Sequence, residues 1–142
     1  MIRVISIVGY LLFALFISYQ DIRFRIIRNR YLLWFVGFTV AVNLHRFSRD
    51  TLAQITLVTL LLAALHLSFR MKIGAGDLKL FWIISFWSNN FLSYLQYFSL
   101  SWVLGGIVSV IFARNFHRHN GNIPFAPFIF AGFLASALPL VP

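Results

Sequence analysis

The chain of 142 residues has only three carboxylates, Asp21, Asp50 and Asp77, and no cysteine. The lack of cysteine excludes a nucleophilic thiol, a thiolate zinc site and a disulfide framework. Two carboxylates that face each other can hydrolyse a peptide without a metal, because at close range they do not both ionise and so share one proton. The ionised one draws a proton from a water that attacks the peptide carbonyl, and the protonated one hydrogen-bonds the carbonyl oxygen and supports departure of the amine. Such a pair titrates in two macroscopic steps that belong to the pair. Asp77 closes the run Gly74-Ala75-Gly76-Asp77. With no Cβ at Gly74 or Gly76, an extended substrate backbone can approach closely and the helix start can stay unwound.

Topology decides which acids can meet. A hydrophobic content of 61% with 11% charged residues and a mean hydropathy of +0.86 describe a polytopic membrane protein rather than a soluble domain. Its net charge of +9 does not point to nucleic acid, because the Lys and Arg residues lie between apolar runs, where they set orientation and meet anionic headgroups. The apolar runs predict about six transmembrane helices in an all-α fold. They lie near residues 4–19, 31–44, 52–69, 73–88, 91–113 and 124–141, a single membrane-embedded domain over 1–142. A signal peptide is excluded at the first run, since only Arg3 precedes it and no cleavage pattern follows Tyr19-Gln20.

The fourth run is the informative one. Only ten residues separate Asp77 from Ser88, about 15 Å as helix, or half a hydrocarbon core. The crossing therefore has to begin near Ile73, which sinks Asp77 to membrane depth, where irregular backbone is tolerated only against protein or water. Nine of the twelve basic residues (Arg23, Arg25, Arg28, Arg30, Arg70, Lys72, Lys79, Arg114 and Arg118) fall on one side, and Arg3, Arg46 and Arg49 on the other. The nine mark the cytoplasmic side, so both termini face away from it. Asp21 and Asp77 then share the cytoplasmic depth and Asp50 lies on the opposite face. Each acid has a plainer reading: Asp77 as a helix N-cap, Asp21 as a carboxylate neutralised by Arg23 and Arg25, a surface pair contributing about 0–1 kcal/mol. An acid within a span costs about 2.5–3.5 kcal/mol, and two at one depth suggest a shared site.

Three ordered stretches resemble the prepilin peptidases, a family of GxGD intramembrane aspartyl proteases. Asp21-Ile22-Arg23 through Ile27-Arg28-Asn29 is similar to the family's Asp-x-Arg…Ile-Pro-Asn, Gly74 through Leu80 to Gly-x-Gly-Asp-x-Lys-Leu, and Pro124-Phe125-Ala126-Pro127 to Pro-Phe-x-Pro. Arg28 stands where the family usually has Pro. The resemblance implies a multi-pass enzyme of the cytoplasmic (inner) membrane that removes the basic leader of type IV pilin-like precursors at the cytoplasmic face. Asp21 and Asp77 would be the catalytic acids, Gly74, Gly76 and Lys79 the other motif residues, and no metal or cofactor is implied. It is to the short peptidases of tight-adherence (Flp-type) pilus systems, without the N-terminal cytosolic methyltransferase segment of longer members. Neither the substrate-binding residues nor the oligomeric state follows from it.

Other residues have modest readings. Lys79 is expected to tune Asp77, His66 to bond a neighbouring helix, and Gly105, Gly106 and Ser109 to offer a small-residue packing face. The spacing of His117 and His119 puts them on different faces of a helix, so they make a poor metal pair. Trp34, Trp82, Trp87 and Trp102 are packing or lipid-facing groups. The basic loops should not attract a basic leader directly, so anionic lipid is expected to concentrate it, at about 1 kcal/mol per basic residue. Two competing readings are a small ion-coupled transporter, disfavoured because no second glycine-broken half-span matches residues 74–88, and a noncatalytic assembly subunit whose acids fix packing.

Overall fold

Polar residues break the apolar runs, and the helices begin and end at those breaks. A computed structural model describes residues 2–69, 74–115 and 124–137. Among the described residues six α-helices follow one another: α1 (Ile2–Phe24), α2 (Asn29–Asn43), α3 (Arg49–Ser68), α4 (Ala75–Ile84), α5 (Phe91–Asn115) and α6 (Ala126–Ala137). Helix α1 stops at Arg25, whose φ of 54° lies in the left-handed region. That conformation costs a residue with a Cβ about 1–2 kcal/mol and turns the chain just beyond Asp21. Ser48 caps α3 by accepting the Thr51 amide at 3.3 Å, and Asn90 accepts the Ser93 amide at 2.8 Å at the start of α5. Asp50 lies exposed in the first turn of α3, where its charge complements the helix dipole. That end of the bundle is remote from the other two acids.

The six helices occupy the expected places, and α1, α3 and α5 are long and apolar enough to cross a membrane. Helices α2, α4 and α6 are shorter, with 15, 10 and 12 residues. A 3₁₀ turn at Ser85–Trp87 extends α4. The expected start of the fourth crossing at Ile73 lies outside the described residues, as do residues 138–142 at the end of the sixth. The helix start that Gly74 and Gly76 are expected to leave unwound is regular from Ala75 onward. Gly74 is the N-cap (φ −58°, ψ 126°), the Leu78 amide closes the first turn on the Gly74 carbonyl at 3.2 Å, and Gly76 and Asp77 are helical. The N-cap reading of Asp77 falls for the same reason.

The short helix is also the most enclosed. Leu80, Phe81, Ile83 and Ile84 are at most 1% exposed, and α4 packs against α2, α3 and α6, while α1 packs against α2 and α6 and α5 against α6. Leu15, Leu33 and Leu67, by contrast, are 70%, 71% and 74% exposed. Apolar surface of this kind is stable against lipid tails and costly in water.

Candidate active site

Asp21 lies in the last turn of α1 and is only 6% exposed. Its Oδ2 accepts the Ala126 amide of α6 at 2.9 Å, and the Phe125 amide also bears on the carboxylate. The Pro-Phe-x-Pro stretch thus has a local purpose. Pro127 in the first turn has no N–H to donate, Phe128 and Ile129 donate to the Phe125 carbonyl at 3.0 and 3.3 Å, and the Ala126 amide is left to Asp21. Two glycines dock α6 on α5. A Cβ at Gly105 would stand 2.3 Å from the Phe125 ring, and one at Gly132 would stand 2.2 Å from Ser101 Oγ. Phe125, also packed against Trp102 at 5.1 Å between ring centroids, holds the start of α6 beneath Asp21. Ala126 and Phe125 act here through backbone amides, which residue type does not reveal. The signal was the proline two residues past Phe125.

Asp77, the third residue of α4, is partly buried and interacts electrostatically with Asp21. The two acids that sequence topology paired therefore lie within electrostatic reach of each other, and Asp50 is left out. The glycines before Asp77 have separate tasks. A Cβ at Gly74 would stand 2.8 Å from Asp77 Oδ2, and one at Gly76 would stand 3.0 Å from the Cβ of Ile27. Gly74 leaves room for the carboxylate itself, and Gly76 lets the connection between α1 and α2 lie against the start of α4.

Lys79 does not turn toward Asp77. Two residues further along a helix of 3.6 residues per turn is about 200° around it, and the Lys79 ammonium donates to Asn29 Oδ1 at 2.9 Å, tying α4 to the first residue of α2. Asn29 and Ile27 thus gain roles as contacts of the motif on α4, although neither has a side chain that suggests chemistry. Arg23 donates to the Tyr19 hydroxyl at 2.6 Å, while Arg25 interacts electrostatically with Asp21. Asp21 is buried, so it is not a carboxylate of an exposed ion pair. Arg28, in place of the family proline, has φ −71° and ψ 132°, a conformation that proline adopts.

The minor expectations divide. His66 Nδ1 is buried with no hydrogen-bond partner among the described residues, so that atom makes no bond to a neighbouring helix. Gly105 packs closely, but Gly106 has open space beside it, and Ser109 donates to the Gly105 carbonyl within its own helix. Trp34 and Trp102 are exposed, while the Trp82 and Trp87 indoles donate to Thr59 and Thr39 at 3.0 and 3.2 Å. His117 and His119 lie outside the described residues.

A sequence model of the type IV leader peptidase family matches residues 8–140, which takes in all three stretches described above. No curated protein and no solved structure matches the chain.

Proposed function

The chain belongs to the type IV leader peptidase family, and within it we propose an aspartic endopeptidase in which Asp21 and Asp77 are the catalytic pair. Membership makes it a membrane peptidase with prepilin-like substrates. The observation that carries the aspartic reading is that the two acids, at the end of α1 and the start of α4, act on each other electrostatically, with the Ala126 amide fixed on one of them. That amide makes the pair unequal. Both acids are held away from water, but Asp21 accepts an N–H at the positive end of α6, which offsets part of the cost of burying its carboxylate. Asp77 is partly buried, its carboxyl has no hydrogen bond among the described residues, and it stands in the field of Asp21, so it holds the shared proton.

In the proposed reaction Asp21 takes a proton from water as the water oxygen bonds to the scissile carbonyl carbon, and Asp77 gives its proton to the carbonyl oxygen. The tetrahedral diol collapses as the C–N bond breaks. The amine leaves with the proton held by Asp21, and Asp77 recovers a proton from the diol hydroxyl. The products are the freed leader and the new N-terminus, with both acids restored.

The substrate is a pilin-like precursor of the Flp type with a basic leader, cleaved at the cytoplasmic face of the inner membrane. Support for the face is the nine-to-three division of basic residues, and anionic lipids gather the leader there. A test uses purified protein in anionic vesicles with a precursor made of a basic leader and an apolar helix, with the products read by mass spectrometry. One cut at the junction of leader and helix, undiminished by a chelator, is expected. No cut, or one abolished by the chelator, contradicts the aspartic reading. Phosphatase fusions after Asn90 should be active and those after Arg30 inactive, and the reverse overturns the assigned face.

A further inference from the structure

The end of the bundle away from the two acids contains a second buried polar cluster. Tyr10, Tyr94 and Tyr97 are 3%, 0% and 1% exposed, and none of their hydroxyls has a hydrogen-bond partner among the described residues. They lie together. The Tyr94 and Tyr97 rings are 4.8 Å apart, Tyr10 and Tyr97 both pack on Phe133 at 5.0 and 5.5 Å, Tyr97 interacts electrostatically with the other two, and its hydroxyl faces the Ser88 side chain as a hydrogen-bonding neighbour, short of a well-formed bond. Ser88 in turn is held by the Gln54 side-chain amide, which also donates to the Ser85 carbonyl at 3.1 Å. Tyr10 precedes Asp21 by eleven positions of α1, about 16 Å along the helix.

Phenylalanine fills nearly the same volume without a hydroxyl to satisfy, and the chain uses it 17 times against five tyrosines. Three of those five are these. A buried hydroxyl without a partner destabilises a fold, whereas a water with two to four polar neighbours satisfies several such groups at once. Three hydroxyls on two helices, with the Ser88 hydroxyl beside them, supply that number of neighbours. We infer that Tyr10, Tyr94, Tyr97 and Ser88 bind internal water, forming a hydrated site between α1 and α5 at the end of the bundle opposite the acids.

X-ray hydroxyl-radical footprinting of the intact protein in vesicles reads this directly, because radiolysis of a held water labels the side chains around it. Tyr94 and Tyr97 are expected to label at least roughly tenfold faster than Phe81, which is equally enclosed and packs its ring against Phe98 and Phe125, apolar neighbours that hold no water. Labelling as slow as that of Phe81 overturns the inference. Tyr94→Phe and Tyr97→Phe give the independent sign. Each should lower the melting temperature, on the order of 3–5 °C, if a hydrogen bond to water is lost. An unchanged or higher melting temperature means the hydroxyls were unpaired, and overturns it equally.

Discussion

Gly74→Ala separates activity from stability. Gly74 is exposed and has φ −58° and ψ 126°, which alanine adopts without strain. Removing glycine lowers the entropy of the unfolded chain, which contributes about 0.4–1 kcal/mol, and the poorer fit of alanine to the N-cap position offsets this by a similar amount, about 0.5–1 kcal/mol. The new Cβ, however, would stand 2.8 Å from Asp77 Oδ2, where ordinary contact begins at 3.4 Å. The carboxylate is the movable partner, so it retreats by about 0.6 Å. A misplacement of about 1 Å at a reacting group costs on the order of 10²-fold, so about 0.6 Å corresponds to roughly tenfold in kcat, or about 1.4 kcal/mol of barrier. Thermal unfolding in detergent and single-turnover cleavage of the precursor give the two readings. A melting temperature close to the parent's with roughly tenfold slower cleavage is expected. Cleavage at the parent rate would refute the claim that the space at position 74 serves the Asp77 carboxylate.

Gly76→Ala presses on Ile27 Cβ at 3.0 Å, so cleavage should fall about tenfold; adding Ile27→Ala should not restore it, because the offending atom remains, and full rescue would show the contact was misidentified. Arg28→Pro fits the backbone already present (φ −71°) and should leave cleavage intact while raising stability by about 0.4–1 kcal/mol in chemical unfolding, with destabilisation counting against that geometry. Lys79→Met and Asn29→Ala should each slow cleavage, and a double-mutant cycle should show a coupling of about 0.5–3 kcal/mol in keeping with their 2.9 Å bond; additive effects would mean that the bond does not act in the protein. Cleavage should follow a bell-shaped pH profile, falling on the acid side as Asp21 takes a proton and on the alkaline side as the shared proton leaves, while a single-limbed profile would deny a shared proton.

The features visible in the sequence were those that interrupt an apolar chain. Asp21, the run from Gly74 to Asp77 and the prolines at 124 and 127 stand out because charge, missing side chains and missing N–H groups are rare within spans. Contacts between distant parts were not visible. Lys79 and Asn29 are fifty positions apart and each has a routine local reading, so only the packing of α4 on α2 reveals the bond. The Ala126 amide has no side-chain signature at all. The start of α4 misled for a physical reason: two glycines in three residues read as a break, yet in the structure one caps the helix and the other lies inside it, where a close neighbour needs its bare Cα. The buried tyrosines were hidden because hydropathy counts their rings and overlooks their hydroxyls.

The central claim is that Asp21 and Asp77 work as one unit. Single-turnover leader cleavage by Asp21→Asn, Asp77→Asn, the double variant and Asp50→Asn, each shown to be folded in the membrane, tests it most directly. Each single change at the pair should cost at least about 10³-fold, the double change should add little, since residues that act as a unit are non-additive, and Asp50→Asn should cleave near the parent rate. A folded Asp21→Asn or Asp77→Asn protein that processes the precursor at the parent rate would contradict the account and leave the two acids a packing role.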